Sequence, residues 1–178
     1  MTNNLRPFLF VLLVSAMVPL GVMLTGTGAN GEREAEKHFA EGNLLAAAKS
    51  WEKMEKERPR EDLYEKISIC YLSLGDKIQA RQWLEAGLTR FPRCGNLLFN
   101  LAWLDYSEQR WEDALRLTER LVEINPNFPE AHYLRGCILE AQGRRKEAKK
   151  QFIEEINRNP GSKKTWQKLK ESVNEQKR

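Results

Sequence analysis

The sequence predicts an all-α chain in which four similar helical hairpins follow one another and form an α-solenoid. Small and apolar residues recur at helical spacing through most of the chain, and glycine and proline interrupt them at regular intervals. No stretch alternates between apolar and polar residues for long enough to indicate a β-sheet. Ala, Leu, Glu, Lys and Arg, which favour helices, dominate beyond the N-terminus.

Residues 95–128 show the repeated unit most clearly. They hold two amphipathic helical patterns, which are separated at residues 108–110. The apolar faces are Leu98, Leu101 and Ala102 in the first pattern, and Ala114, Leu117, Leu121 and Ile124 in the second. Pro126 ends the second pattern, because proline lacks an N–H and its ring clashes with the preceding turn. The stretch therefore predicts a helix–turn–helix unit.

The same spacing occurs four times along the chain. Each series starts at a turn residue and continues in steps of five, four, three and five residues. The four series are Gly42, Ala47, Trp51, Met54 and Pro59; Gly75, Ala80, Leu84, Gly87 and Pro92; Gln109, Ala114, Thr118, Leu121 and Pro126; and Gly143, Ala148, Phe152, Glu155 and Pro160. Seven residues before the turn residues lie the small residues Ala35, Ser68, Ala102 and Gly136. A register that is kept four times indicates an internal repeat.

This pattern resembles the tetratricopeptide repeat (TPR), a helical hairpin of about 34 residues. The resemblance covers roughly residues 30–160 and implies a right-handed solenoid. It also implies that the small residue of each first helix lets the second helix approach, and that glycine at the turn adopts a backbone conformation costly for other residues. Gln109 at the third turn and Arg135 in an apolar position of the fourth unit depart from the pattern. The first unit is weak at Gly31 and Glu34, as expected of a terminal repeat.

The predicted hairpins occupy residues 29–60, 61–94, 95–128 and 129–162. Residues 163–178 predict one further helix, with an apolar stripe of Trp166, Leu169 and Val173. We expect this stripe to cover the last hairpin while the remaining polar surface faces water, because repeat arrays need a cap.

Residues 8–28 predict a membrane-spanning helix that follows a short flank, residues 1–7. The run from Phe8 to Gly31 carries no charge, and a helix of this length crosses a hydrocarbon layer of about 30 Å. The alternative is a signal peptide that is cleaved near Ala29. The apolar run is longer than that of a typical signal peptide, which favours the anchor. Its N-terminal position favours repeats on the translocated side, periplasmic or lumenal.

The sequence offers no set of residues for catalysis or for binding a metal or cofactor. His38 and His132 fall at positions that TPR hairpins use for packing. Cys70, Cys94 and Cys137 form no CxxC pair, which favours buried structural thiols. Nucleotide-binding glycine motifs and the HExxH zinc motif do not occur. We therefore expect no enzyme activity and no cofactor.

A partner-binding surface remains, because the first helices of TPR arrays line a concave groove. The resemblance places the groove at Ile69, Asn96, Phe99, Asn100, Trp103, Tyr106 and Tyr133. Phe99, Trp103 and Tyr106 share one helix face at spacings of four and three residues. They either fill helix contacts or form a partly exposed aromatic floor for a peptide or partner helix, whose backbone Asn96 and Asn100 would bind.

The resemblance does not extend to the clamp with which some TPR proteins hold the terminal carboxylate of a chaperone tail. Only Asn100 fits that clamp. Glutamate stands where lysine or asparagine is needed, at Glu32, Glu36, Glu65 and Glu130.

The charge of the chain is unevenly placed. Residues 129–178 carry 13 Lys and Arg against 7 Asp and Glu, whereas residues 30–128 carry 15 against 18. The basic C-terminal end is either a solvated cap or a contact for anionic lipid or an acidic partner. Nucleic acid is not expected, because no stacking aromatics are interleaved with the charges. The sequence thus predicts a membrane-anchored interaction scaffold or assembly factor. The alternative is a secreted, soluble TPR adaptor.

Overall fold

In the computed structural model of the protein, residues 28–175 are described, and they form α-helices without a β-strand. The helices are α1 (Gly28–Ala40), α2 (Leu44–Glu57), α3 (Glu61–Ser73), α4 (Lys77–Arg90), α5 (Gly95–Ser107), α6 (Trp111–Ile124), α7 (Ala131–Ala141), α8 (Arg145–Arg158) and α9 (Lys163–Glu175). The predicted all-α class is confirmed for these residues. The predicted anchor lies outside them except for its last residue. Among the described helices, none combines the length and apolar character needed to cross a bilayer.

The chain divides into two compact units, Met1–Gly87 and Leu88–Arg178, and α4 runs from the first into the second. In the first unit α1 packs against α2 and α2 against α3. The rings of Tyr64 in α3 and Trp83 in α4 lie 5.8 Å apart. In the second unit each helix from α5 to α9 packs against the next, and α5 also contacts α7. Within each unit the hairpins therefore follow in sequence order, as the repeat predicts.

The four predicted turns share one hydrogen-bond pattern. The N–H of the turn residue donates to the carbonyl three residues back, and the next N–H donates to the carbonyl five residues back. The pairs are Gly42 to Phe39 and Asn43 to His38, Gly75 to Leu72 and Asp76 to Tyr71, Gln109 to Tyr106 and Arg110 to Asp105, and Gly143 to Glu140 and Arg144 to Leu139, all at 2.8–3.1 Å. This is the Schellman motif, which satisfies carbonyls at the end of a helix.

Gln109 keeps the turn geometry although it is not a glycine. The three turn glycines have φ of 76° to 80°, and Gln109 has φ of 61°. The left-handed conformation costs a residue with a Cβ about 1–2 kcal/mol. Glutamine in place of glycine therefore raises the conformational free energy of the third turn without changing its geometry.

Each hairpin buries a small residue of its first helix and a larger one of its second. The small residues Ala35, Ser68, Ala102 and Gly136 are buried. At equivalent positions of the second helices lie Trp51, Leu84, Thr118 and Phe152, which are at most 2% exposed. A Cβ added at Gly136 would lie 2.4 Å from the ring of Phe152. In the fourth hairpin, the ring of Phe152 therefore limits how closely α7 and α8 approach each other.

The fourth hairpin begins differently from the others. α7 has 11 residues, whereas α3 and α5 have 13, because Glu130 adopts a left-handed φ of 64° just before it. The Glu130 side chain makes no capping hydrogen bond. Instead, the N–H of Tyr133 donates to Oε2 of Glu155 in α8, at 3.3 Å. Glu155 therefore supplies the acceptor that the first turn of α7 lacks.

Glu155 occupies a position where the other series carry Met54, Gly87 and Leu121. Its side chain is 2% exposed. Burial raises the pKa of the Glu155 carboxyl, while the hydrogen bonds from the backbone of Tyr133 and Glu130 act in the opposite direction. A polar residue in this core position is explained by its capping role.

The last helix covers α8 with fewer apolar side chains than the sequence predicts. Thr165 is fully buried and its hydroxyl lies 2.7 Å from that of Ser162. Trp166 is 44% exposed, and its indole N–H donates to the carbonyl of Pro160 at 2.9 Å. Leu169 is half-buried, and the side chain of Val173 lies outside the described residues. Trp166 therefore covers the last hairpin only in part.

Gly136→Ala should lower the free energy of unfolding by about 1–3 kcal/mol, because the added methyl meets the ring of Phe152. The loss should outweigh the gain of about 1 kcal/mol from the better helix propensity of alanine. Chemical denaturation followed by circular dichroism measures the difference. Gly31→Ala is the matched control, since nothing lies within 4 Å of a Cβ built at that helical position. Equal effects of the two substitutions would contradict this packing.

Glu155→Gln should change how stability depends on pH. Because burial raises the folded-state pKa of Glu155, folding favours its protonated form, and its contribution to stability falls as pH rises through that pKa. The contribution is largest below the unfolded value of about 4.3. The wild type should therefore lose stability relative to Glu155→Gln as pH rises above about 4.3, in denaturant melts at a series of pH values. A difference that grows in favour of the wild type would show the reverse shift.

Candidate functional site

Aromatic side chains run along α5 in the second unit. The ring of Trp103 lies edge-on to Phe99 at 6.3 Å and to Tyr106 at 5.5 Å, with interplanar angles of 84° in both pairs. Phe99 also contacts Phe128 at 5.3 Å, and Tyr106 contacts Trp111 at 5.4 Å. These distances and angles are favourable for aromatic pairs. The rings therefore hold one another in fixed positions.

Burial divides these aromatics into two kinds. Phe99 is 2% exposed, so it fills the contact with Phe128. Trp103 and Tyr106 are half-buried, so part of each ring faces solvent. Of the two interpretations of the sequence, helix packing describes Phe99, and a partly exposed floor describes Trp103 and Tyr106.

Asn100 lies one turn before Trp103 on α5 and is 4% exposed. Its Nδ2 has no hydrogen-bond partner among the described residues. A buried donor without a partner is costly, because the water it lost is not replaced. Asn96, in the first turn of α5, is half-buried. Both side chains thus lie on the helix where the sequence places a partner backbone.

Tyr133 of α7 lies close to the same surface. It is half-buried, its ring is 6.0 Å from that of Phe152, and Lys164 Nζ of α9 lies 4.4 Å from its centroid. Tyr133 and Tyr106 both pack against one core cluster that includes Cys137 and Phe152. The structure therefore brings Trp103, Tyr106 and Tyr133 together, and we call these three residues the aromatic patch.

Ion pairs between α7 and α9 border the patch. Lys164 Nζ lies 2.6 Å from Glu130 Oε2, and Lys168 Nζ lies 2.6 Å from Glu140 Oε2. Both lysines belong to the basic C-terminal end, which the sequence predicts to be either a solvated cap or a contact for anionic lipid or an acidic partner. The register of the repeat could have identified the Lys164 pair, because Lys164 follows Glu130 by 34 residues and occupies the same position of the next repeat. It does not identify the Lys168 pair, whose residues are 28 apart.

Ile69, the remaining predicted groove residue, lies in α3 of the first unit and is 7% exposed. Its neighbourhood is ionic. Lys66 Nζ lies 3.4 Å from Glu32, 3.6 Å from Glu36 and 3.8 Å from Asp62, and 5.4 Å from the ring centroid of Trp51. Of the four glutamates at the clamp positions, Glu32 and Glu36 are therefore partly neutralised by Lys66.

The thiols of Cys70 and Cys137 and the hydroxyls of Tyr106 and Tyr133, near these surfaces, are held neutral. Burial raises the pKa of Cys137 to about 11 and that of Cys70 to about 12, so both are thiols at neutral pH. Burial also raises the pKa of the Tyr133 and Tyr106 hydroxyls. His132 is 6% exposed and its Nδ1 lies 2.9 Å from Gln151 Oε1. Within residues 28–175 no group of three His, Cys, Asp or Glu side chains is placed to hold a metal ion.

Solved structures with similar folds include several of MamA. The crystal structure of MamA is 17% identical over 80% of this chain and 84% of that chain, with a TM-score of 0.72. MamA from residue 41 to its end, from Desulfovibrio magneticus RS-1, is 17% identical over 86% of this chain and 88% of that chain, with a TM-score of 0.75. At these identities the similarity shows the fold alone.

A third similar structure is the first TPR domain of Spaghetti, bound to an HSP90 peptide. It is 18% identical over 66% of this chain and 96% of that chain, with a TM-score of 0.63. Comparison with curated protein sequences gave no significant match.

Family models described as tetratricopeptide repeat match residues 71–138 and residues 129–161. The two matches overlap and together span just over half of the chain. These matches cover the second, third and fourth series, and they confirm the resemblance to the tetratricopeptide repeat there. Residues 71–161 of the chain are therefore tetratricopeptide repeats.

Proposed function

We propose that this protein is a scaffold or assembly factor that binds a peptide or partner protein at the aromatic patch of its second unit. The TPR fold itself suggests protein–protein interaction, and the similar domain of Spaghetti is bound to a peptide. The choice of surface rests on one observation: Trp103 and Tyr106 are partly exposed, yet neighbouring rings hold them edge-on.

A fixed, half-exposed aromatic ring is suited to binding. Trp and Tyr contribute most of the energy at many interfaces, because they bury a large area and lose few rotatable bonds. Trp103 and Tyr106 lose even less freedom, since their contacts already hold them in place. An apolar or aromatic side chain of the partner would lie on them.

Asn100 gives the surface a polar contact. Its amide Nδ2 has no partner among the described residues. A backbone carbonyl of an extended peptide would accept from it and remove the cost of a buried, unsatisfied donor. A small side-chain rotation is needed, because the atom itself is covered. Asn96, one turn earlier, extends the polar contact along α5.

The chemistry of the surface favours binding over catalysis. The two thiols with shifted pKa values are buried and uncharged, and the ion pairs of Lys164 and Lys168 leave neither lysine as a free base. We assign the surface no catalytic role.

The sequence also suggests where in the cell the scaffold is located. Residues 8–28 would anchor the protein in a membrane as a single span, with the repeats on the periplasmic or lumenal side. The scaffold would then recruit its partner beside that membrane. The alternative is a soluble adaptor that is released when the segment is cleaved near Ala29.

The intact mass of the protein purified from its native membranes should include residues 1–29, since the apolar run is longer than that of a typical signal peptide. The protein should also remain in the pellet after alkaline carbonate extraction. A soluble protein whose mass begins near Ala29 would contradict the anchor and support the secreted adaptor. This outcome leaves the aromatic patch unaffected.

Trp103→Ala should weaken partner capture at least tenfold, because residues of this kind contribute about 2 kcal/mol or more when they anchor an interface. In vivo crosslinking and purification, with quantitative mass spectrometry, would compare the variant with the wild type. Trp166→Ala is the matched control, since Trp166 is also exposed and lies at the start of α9.

Thermal melts by circular dichroism must accompany the comparison, because Trp103 contacts Phe99 and Tyr106. A folded Trp103→Ala variant that captures the same proteins in the same amounts as the wild type would rule out the patch. Loss of capture by both tryptophan variants would point to a different surface.

A further inference from the structure

One face of α8 carries a stripe of lysines around an exposed isoleucine. The residues are Lys146, Lys149, Lys150 and Ile153, which fall within about 100° of the helix surface. Lys146 and Lys150 are exposed, Lys149 is half-buried, and Ile153 is 41% exposed. We call these four residues the lysine stripe.

The lysine stripe is only weakly compensated by its own helix. Glu147 pairs with Arg144 at 2.7 Å, and the pKa of its carboxyl is lowered first by Arg144 and then by the charge of Lys150. Glu154 pairs with Arg158 at 3.6 Å, and Glu155 is buried. Within residues 28–175 no ion pair or hydrogen bond engages the ammonium groups of the three lysines. The stripe therefore presents three positive charges to solvent.

The other three hairpins show that the fold does not require this composition. The equivalent positions are Leu45, Ala48, Lys49 and Glu52 in the first, Ile78, Arg81, Gln82 and Glu85 in the second, and Glu112, Leu115, Arg116 and Glu119 in the third. Positive and negative side chains balance in the first two sets, and acidic ones are in excess in the third. The last position is glutamate in all three, whereas the fourth hairpin has Ile153. All four helices are the second helix of a hairpin, so packing within the hairpin does not explain the lysine stripe.

We propose that the lysine stripe docks on the surface of an anionic phospholipid bilayer. Lysines near such a surface each strengthen binding by roughly fivefold, through attraction to the headgroups. An apolar side chain among them reaches the boundary between headgroups and acyl chains, as in interfacial helices. Ile153 would enter this boundary, and Lys146 and Lys150 would lie on the headgroups.

Charge and chemistry favour lipid over other anions. The stripe contains no aromatic ring, and single-stranded nucleic acid needs such rings for stacking. A bilayer also suits the uncharged run of residues 8–31, which predicts a membrane next to the protein. The inference does not depend on the aromatic patch, which is formed by α5 and α7.

The test uses the full-length protein reconstituted into vesicles of phosphatidylcholine, with or without phosphatidylglycerol. Lysines are acetylated with an N-hydroxysuccinimide ester, and mass spectrometry reads each site. Labelling of Lys146 and Lys150 should fall severalfold when phosphatidylglycerol is present, and high salt should restore it. Lys53 and Lys56 of α2, which are exposed, serve as internal controls and should be labelled equally in both vesicles.

Two variants sharpen the test. Ile153→Glu introduces the residue that the other hairpins carry, and it should reduce the protection of Lys146 and Lys150 by at least fivefold. Leu74→Glu is the matched control, because Leu74 is 47% exposed and lies outside the stripe, so protection should remain. Circular dichroism would establish that both variants fold.

Equal labelling of Lys146 and Lys150 in the two kinds of vesicle would overturn the proposal. So would protection by soluble polyglutamate or by single-stranded RNA that exceeds protection by the anionic vesicles, since that result would assign the stripe to an acidic protein or to a nucleic acid. Protection by neutral vesicles as strong as that by anionic ones would show that the charges are not used.

Discussion

The close contact between the two helices of each hairpin is the constraint on which the rest of this structure depends. Gly136 leaves no room for a methyl group against the ring of Phe152, and Ala35, Ser68 and Ala102 hold the same place in the other hairpins. A first helix held this closely must turn its remaining sides away from the second helix. The aromatic patch lies at the edge of this packing, since Tyr106 and Tyr133 contact Trp111 and Phe152 of the second helices and remain partly exposed.

The hairpins can be predicted from the sequence because the residues that define each helix and turn are close together in the chain. The residue after each first helix needs a left-handed backbone, and the buried residues of each helix recur at the helical period, so sequence spacing alone identifies both. Gln109 shows the limit of residue identity, since its backbone follows the motif although its side chain does not. The spacing therefore carried more information than any single residue type.

The features that the sequence did not predict depend on contacts between separate helices. Glu155 caps α7 from α8, and Lys164 and Lys168 pair with glutamates of α7 from α9. A helical period tells which side of a helix is apolar, but not which distant polar group lies opposite. Of the predicted groove residues, Phe99 and Ile69 are buried while Trp103, Tyr106 and Tyr133 are half-exposed, and this division depends on neighbours that periodicity does not specify.

Four equivalent turns close the four hairpins of this protein. Hydrogen exchange of the backbone amides, measured residue by residue by NMR, shows whether the turns are equivalent. The N–H groups of Asn43, Asp76, Arg110 and Arg144 donate to carbonyls five residues back, so all four should exchange far more slowly than exposed amides. Exchange at the rate of an unfolded chain at the second or third turn, in an otherwise folded protein, would contradict the account.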